Sequence, residues 1–316
     1  MNNILDILAC VNCKNGKLVD KKNGDQSYIE CVNCQLTYDF SDKVPVIIHP
    51  NNQLFKPQNY QNLKKKKLNF INNFFPSPSV NLSRNRILNN INKRIASSTL
   101  QKFRILVVGC GRQSQELNML FGKYSFVEII FCDIDTNADV TIFCDAHNLP
   151  FFDEIFDCVI TTAVLEHVLY PEVVSSEILR VMKIDALLYS EIPFMQQVHE
   201  GAYDFTRFTL SGHRRLFNLI SEIESGLVAG PATALVWSIE YLLISFSSSK
   251  GIQKIIKLIV RPFIFWIKYL DYILARYPQS LDAASCTFIY GIKKINETTD
   301  KEIIESYNGV NFISHI

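Results

Sequence analysis

Between residues 103 and 192 the apolar positions fall in short unbroken runs, each closed by a polar turn or a helical repeat. Phe103-Arg104-Ile105-Leu106-Val107-Val108 runs into Gly109-Cys110-Gly111, after which Leu117, Leu120 and Phe121 recur at helical spacing. That pattern predicts a buried parallel strand, a tight glycine turn and a helix. Ile129-Ile130-Phe131-Cys132-Asp133 and Thr141-Ile142-Phe143-Cys144-Asp145-Ala146 predict a second and a third strand, each ending in an acid. Phe156-Asp157-Cys158-Val159-Ile160 predicts a fourth, and Ala186-Leu187-Leu188-Tyr189-Ser190-Glu191-Ile192 a fifth. Residues 223–229 read as a sixth strand and 282–294 as a closing antiparallel one. Strands alternating with helices imply an α/β fold, a mostly parallel sheet with helices on both faces.

Two stretches depart from this rhythm. Residues 231–280 are strongly apolar and predict a helical insertion, through Leu235-Val236-Trp237, Tyr241-Leu242-Leu243-Ile244 and the run from 255 to 275. Glu240 interrupts the first part, so no clean membrane-spanning helix is expected. In the second, Lys254, Lys257, Arg261, Lys268 and Asp271 form a narrow polar stripe. The wide apolar remainder needs a host: the protein's own core, a second subunit in a homodimer, or a membrane surface. Residues 51–101 are Asn- and Lys-rich and broken by Pro57, Pro76 and Pro78, which predicts a mobile basic linker with short helices. Within it, Ile87, Leu88, Ile91 and Ile95 recur at helical spacing and should pack just before the first strand. Residues 296–316 read as a C-terminal tail.

Composition sharpens the picture. The chain has 316 residues, 48% of them hydrophobic, with a mean hydropathy of +0.08, enough for one large domain and a small one. The net charge of +1 hides an imbalance. No acid occurs between Asp42 and Glu116, a stretch with 13 Lys and Arg that includes the run Lys64 to Lys67. Such a segment is either a solvated linker or an attractor of nucleic acid, anionic lipid or phosphorylated ligands. The N-terminus lacks a basic region ahead of an apolar core, so a cytoplasmic protein with reduced or metal-bound thiols is expected.

Cys10-x-x-Cys13 and Cys31-x-x-Cys34, 17 residues apart, have the spacing of a four-thiolate zinc site built from two knuckles and a hairpin. Two disulfides or an iron–sulfur centre are the other occupants of that spacing, and a reducing compartment disfavours the first. About 40 residues bury too little apolar surface alone, so the metal would supply folding free energy. Residues 1–50 therefore read as a zinc ribbon with a structural Zn2+. Ile7-Leu8-Ala9-Cys10, Lys17-Leu18 and Val44-Pro45-Val46-Ile47 resemble the small zinc-ribbon family that activates methyltransferases, with Val11 where that family usually has Pro.

In open parallel sheets, ligands bind at the carboxyl ends of the strands. Gly109, Asp133, Asp145 and Thr162 all fall at such ends. Asp133 lies 24 positions after Gly109, the placing of an acid that holds the two hydroxyls of a ribose. Glu166-His167 follows the fourth strand, either lining a site or starting a helix. The loop after Pro193-Phe194 carries His199, Tyr203, Asp204 and Arg207, either a substrate site or a structural network in which Asp204 pairs with Arg207.

Residues 103–294 resemble the class I S-adenosylmethionine-dependent methyltransferases. The resemblance implies a Rossmann-like, seven-stranded sheet with an antiparallel last strand over residues 102–295. It also implies a cofactor site at Gly109, Cys110, Gly111, Asp133, Ile134, Asp145, Ala146, Thr162 and His167. Leu149-Pro150-Phe151, after Asp145-Ala146, matches the family's adenine-binding segment; Val164-Leu165-Glu166-His167-Val168 and Glu177-Ile178-Leu179-Arg180-Val181-Met182-Lys183 match later segments. Gln113 stands where many members have a third glycine. The 193–209 loop is similar to one in bacterial methyltransferases of cell-surface polysaccharide and glycoconjugate synthesis. The expected acceptor is thus a small molecule or lipid-linked saccharide, at the inner face of the membrane if the insertion docks there. His199 is expected as general base, oriented by Asp204, with Arg207 holding an anionic group. RNA is the alternative acceptor, since a ribbon ahead of a methyltransferase also resembles a bacterial ribosomal-RNA guanine methyltransferase. A non-catalytic scaffold with a partner-docking ribbon is the third reading.

Overall fold

The computed structural model describes residues 4–24, 26–60, 77–307 and 309. The Lys64 to Lys67 run and the end of the C-terminal tail lie outside them.

The unbroken apolar runs become strands buried on both faces. These are β5 (Phe103–Val108), β6 (Val127–Asp133), β7 (Ile142–Cys144), β8 (Phe156–Thr162) and β9 (Met182–Pro193), all parallel. Every residue of β8 is buried, which is why no polar alternation marks it. β11 (Cys286–Lys293) runs antiparallel between β9 and β10 (Ile220–Ala229). The order β7-β6-β5-β8-β9-β11-β10 is the Rossmann-like, seven-stranded arrangement with an antiparallel last strand in sequence. β9 and β10 begin four and three residues earlier than their apolar runs, because Lys183, Asp185 and Glu222 interrupt the hydrophobic pattern there.

The sheet does not stop at β7. The cysteine-bearing segment folds as a hairpin, β1 (Leu18–Asn23) on β2 (Gln26–Cys31), followed by β3 (Thr37–Ser41) and β4 (Val44–Ile47). β4 pairs parallel with β7, Val46 opposite Phe143 and Ile47 opposite Cys144, so one sheet of 11 strands carries both parts. Leu8 bridges Phe151, Ala9 N donates to the Pro150 carbonyl at 2.9 Å, and the Asn148 amide reaches the Val11 carbonyl at 2.9 Å.

Within the linker segment the expected short helices form, a 3-10 turn at Pro57–Tyr60 and a helix before β5, but residues 51–60 and 77–101 are packed on the domain and not free of it. Tyr60 is buried against Phe143 and donates to the Ile134 carbonyl at 2.6 Å. Helix α1 (Arg84–Ala96) sinks Ile87, Leu88, Ile91 and Ile95 into one side of the sheet with α2 (Ser114–Phe121). The other side is covered by α3 (Pro171–Val181) and α4 (Leu210–Leu216).

The insertion folds as α5 (Pro231–Ile244), α6 (Lys250–Ile264), a 3-10 turn and α7 (Asp271–Leu274). Pro262 lies near the end of α6, where its missing N–H helps end the α-helix in that 3-10 turn. Apart from the exposed Lys254, the polar stripe faces inward. Lys257 and Arg261 pair with the fully buried Glu240, Lys268 donates to the Ser77 carbonyl, and Asp271 accepts from the N–H groups of Gly230, Ala232 and Thr233 at 2.9–3.0 Å. Asp271 thereby caps α5 from a distant part of the chain. The apolar face points outward: α6 has no buried residue, and Phe246, Phe263 and Trp266 are 82%, 73% and 56% exposed. The described residues therefore do not bury this face in the protein's own core. Among the described residues no helix is long and apolar enough to cross a membrane.

Candidate active site

Gly109 and Gly111 turn the chain out of β5 with φ of +65° and +50°, the left-handed region that favours glycine. A Cβ on Gly109 would meet Val164 Cγ2 at 2.3 Å, whereas one on Gly111 would meet nothing within 4 Å. The turn therefore packs on one side and opens on the other. Gly111 N donates to Asp133 Oδ2 at 2.8 Å, and Ile134 N and Asp135 N donate to Asp133 Oδ1 at 2.7 and 2.9 Å. Burial pushes the Asp133 carboxyl above its usual range, opposed by these three N–H groups. Cys110 is buried under the turn, and burial pushes its thiol up.

Asp145 leaves β7 and caps the short turn Ala146–Asn148, accepting from His147 N at 3.0 Å and facing His147 Nδ1 at 2.7 Å. Its other oxygen accepts from the Asn52 amide at 2.7 Å. Burial acts to raise its carboxyl, but His147 and Asn52 outweigh that and hold it low. Across the site, Thr162 at the end of β8 accepts from Gln113 Nε2 at 2.9 Å, and Gln113 Oε1 accepts from Arg84 at 2.9 Å. The residue standing in for a third glycine is thus tied to a strand end and to α1. Asn52, Tyr60 and Arg84 escape a reading by motif, because they sit in a low-complexity stretch without spacing of their own.

After Thr162 the chain passes through Ala163, whose φ is +56°. This sharp turn aims Glu166 inward and His167 toward the 193–209 loop. His167 and His199, which the sequence gives separate roles, lie edge to face with ring centroids 4.8 Å apart and Nε2 atoms 3.1 Å apart. Burial pushes the His167 imidazolium down, and burial raises the Glu166 carboxyl to about 8. Asp204 accepts from His199 N at 2.9 Å and lies 3.4 Å from its Nδ1. Burial disfavours its charge, yet the Arg207 hydrogen bonds hold Asp204 down to about 2.

Arg207 does not fit the expected role of holding a substrate anion. Its guanidinium donates to both Asp204 oxygens and to the carbonyls of Gln196, Gln197 and Thr206. Those acceptors take its five N–H groups, and the residue builds the loop instead. The insertion braces the same loop: Tyr241 donates to the Val198 carbonyl at 2.7 Å, and Gln197 to Ser238 at 3.1 Å.

At the far end of the sheet, the sulfurs of Cys10, Cys13, Cys31 and Cys34 all lie within 4.8 Å of one another. Cys10 and Cys34 are 3.6 Å apart, Cys13 and Cys31 3.5 Å. A tetrahedral ion with metal–sulfur bonds of about 2.3 Å needs sulfurs about 3.8 Å apart, so the four thiols fit a metal. A Cβ on Gly16 would strike Cys31 Sγ at 2.2 Å, so the first knuckle requires glycine there. The Asn12 amide holds the Cys34 thiol down to about 6, whereas burial pushes Cys13 up to about 12 and raises Cys31.

Residues 106–190 match the methyltransferase-domain family. The matched segment runs from β5 into β9 and contains the glycine turn, Asp133, Asp145, Thr162 and the Glu166-His167 pair. No curated protein sequence matches the chain. Among solved structures, Haemonchus contortus phosphoethanolamine N-methyltransferase 2 with S-adenosyl-L-methionine is 17% identical with a TM-score of 0.38, over 65% of this chain and 52% of that one. This chain thus spans about half the length of that enzyme. A chain of the Haloferax volcanii complex containing the Trm112 methyltransferase activator is 15% identical with a TM-score of 0.40, over 68% and 92%. The Bacillus subtilis YcgJ protein is 15% identical with a TM-score of 0.39, over 67% and 100%. The fold assignment rests on the strand order itself.

Proposed function

We propose that this protein transfers a methyl group from S-adenosylmethionine to a hydroxyl of a saccharide or other small cell-surface precursor. The observation that carries this is Gly111 beside Asp133: an open-faced glycine turn and a buried carboxylate, at adjacent strand ends, inside the segment that matches the methyltransferase family. When bound, the cofactor supplies an electrophilic sulfonium methyl. Asp133 would accept from the ribose hydroxyls, with Cys110 and Ile134 beside it, and Asp145-Ala146 with Asn52 would bound the adenine. Thr162, Gln113 and His167 would shape the methionine end. The chain's main task is alignment of the acceptor oxygen with the methyl.

A hydroxyl attacks well only as its proton leaves, and the paired imidazoles of His167 and His199 stand on the acceptor side to receive it. Asp204 orients His199, and Arg207 fixes Asp204. The four cysteines would hold a structural Zn2+, since four thiolates leave no coordination position for chemistry. A lipid-linked acceptor, met by a cytoplasmic enzyme at a membrane face, is supported by the outward face of the insertion. Between the buried Glu240 and the buried Asp271 there is no acid, and while Lys257, Arg261 and Lys268 turn inward, Lys250 and Lys254 are exposed beside the apolar face.

The test is incubation with methyl-labelled S-adenosylmethionine and cell extract. Label is expected in lipid-linked or free saccharide. Label in RNA would redirect the acceptor assignment, and no cofactor binding at all would leave only the scaffold reading.

A further inference from the structure

Beyond the four cysteines, one more cluster among the described residues brings metal-ligating atoms together: Glu166, His167 and His199, whose ligand atoms lie within 4.8 Å of one another. Glu166 is 0% exposed, and neither carboxylate oxygen accepts a hydrogen bond from the described residues. A buried carboxylate left in that condition is costly unless it takes up a proton or a cation meets it.

The hydrogen bonds on the far side of each ring fix what the two histidines offer. His167 Nδ1 lies 2.7 Å from the Tyr203 carbonyl. A carbonyl only accepts, so Nδ1 carries the proton and Nε2 of the neutral ring is a lone pair. His199 Nδ1 faces the Gln197 carbonyl at 3.3 Å and Asp204 Oδ2 at 3.4 Å, both acceptors, and the same conclusion follows. Two Nε2 lone pairs therefore point at each other across 3.1 Å, with Glu166 Oε1 3.6 Å from His167 Nε2. A single proton satisfies one nitrogen pair and leaves the carboxylate unbonded. One divalent cation satisfies all three groups.

The separations agree with that. Metal–nitrogen bonds of about 2.0–2.1 Å place neighbouring ligand atoms about 3.0–3.4 Å apart; the His167–His199 and His167–Glu166 separations are 3.1 and 3.6 Å, and all three ligand atoms lie within 4.8 Å of one another. Two imidazoles and one carboxylate suit first-row divalent ions and leave coordination positions open. Each imidazole already has the acceptor on its other nitrogen that metal-bound histidines have. Lone pairs and carboxylate are held by separate elements: the turn at Ala163 sets Glu166 and His167, and the Asp204–Arg207 pair sets the loop that carries His199.

We propose that Glu166, His167 and His199 form a binding site for one divalent first-row transition-metal ion. Val164, two residues before Glu166, packs against the Gly109 turn, so the site adjoins the glycine turn assigned to the cofactor. Its role in catalysis rests on the methyl-transfer reading: the ion would bind the acceptor hydroxyl and make it more acidic, so that its proton passes to solvent water and not to a free imidazole. The site itself does not depend on that reading.

The experiment uses the full chain with its cysteine site loaded with zinc, titrated with MnCl2 while free Mn2+ is followed by electron paramagnetic resonance. Mn2+ prefers oxygen and nitrogen donors and does not displace zinc from four thiolates. The expected result is one Mn2+ per chain, with His199→Ala and Glu166→Gln each weakening binding at least about tenfold. Glu166 is buried, so thermal melts accompany both variants; if Glu166→Gln does not fold, His199→Ala, on the loop surface, decides alone. His199→Asp, which keeps a ligand atom, should recover part of the affinity. Absence of Mn2+ binding by the parent chain, or binding unchanged in a folded His199→Ala variant, overturns the proposal. Neither cofactor nor acceptor is present, so either result leaves the methyl-transfer reading to its own labelling test.

Discussion

Arg261 closes on Glu240 through two hydrogen bonds, Nε to Oε2 at 2.6 Å and Nη2 to Oε1 at 3.0 Å, joining α6 to α5 from the inside. Burial would disfavour the Glu240 charge, but Arg261 and Lys257 keep its carboxyl below the usual range. Removing one member of a buried pair strands the other. Arg261→Ala should therefore cost about 3 kcal/mol, the lower end for such pairs because Lys257 remains. Urea unfolding of parent and variant measures it; a loss under about 0.5 kcal/mol, the size of an exposed pair, would show that α6 is held by other contacts.

With its polar stripe turned inward, α6 should act as an adhesive surface. Liposomes containing anionic lipid are expected to retain the protein at low salt and release much of it at high salt. Sedimentation at two ionic strengths checks this. A dimer in solution that protects Phe263 and Trp266, with no liposome retention, would assign the surface to a second copy.

Asp133 accepts three backbone N–H groups in the protein, and a ribose would add to them. Asp133→Ala should weaken S-adenosylmethionine binding by about 1–3 kcal/mol, as expected for lost hydrogen bonds to a charged group. Calorimetry showing unchanged affinity would move the ribose elsewhere.

The Asp204–Arg207 pair makes a statement about acid stability. The Asp204 carboxyl is depressed to about 2 in the folded protein, against about 3.9 in an unfolded chain. A depressed acid stabilises fully above its unfolded value, and that contribution is lost as pH falls from about 4 through about 2. The parent should therefore lose more stability than Asp204→Asn over that window. Melting curves at pH 5, 4 and 3 compare the two; parallel loss would mean that the pair contributes nothing.

Loading at the cysteine site should be felt at the other end of the ribbon's contacts. About one zinc per chain is expected by elemental analysis, and Cys31→Ser should unfold the ribbon. Asn52 and Tyr60 follow β4 and touch Asp145 and Ile134. Cofactor affinity should thus drop in Cys31→Ser even though none of the four ribbon cysteines lies at the glycine turn. Zinc-free purified protein with intact cofactor binding would refute this coupling.

What could be read from the chain was what local periodicity and spacing carry. The β5 run with its Gly109–Gly111 turn, the acids closing β6 and β7, and the two Cys-x-x-Cys pairs are all local patterns, and each fell where expected. The side on which the α6 stripe faces was not legible, because amphipathicity defines two faces but not which one meets the protein. Nor was the pairing of β4 with β7, made by residues almost 100 positions apart. The meeting of His167 with His199 depends on a positive φ at Ala163, a residue type that gives no warning of it. Arg207 pairs with Asp204, one of the two readings of that loop, but its other three donors go to backbone carbonyls, which no side-chain motif encodes.

The joined sheet has a consequence for how the chain survives folding. β7 is only three residues long and would form the outer edge of the parallel sheet, with unpaired N–H and C=O groups facing outward. Such an edge is a template for another chain's strand. β4 occupies it, and the outermost strand on that side becomes β1, whose sequence Leu18-Val19-Asp20-Lys21-Lys22-Asn23 is charged and mostly exposed. The ribbon thus acts as a gatekeeper against self-templated aggregation, replacing a short apolar border with a lysine-studded one.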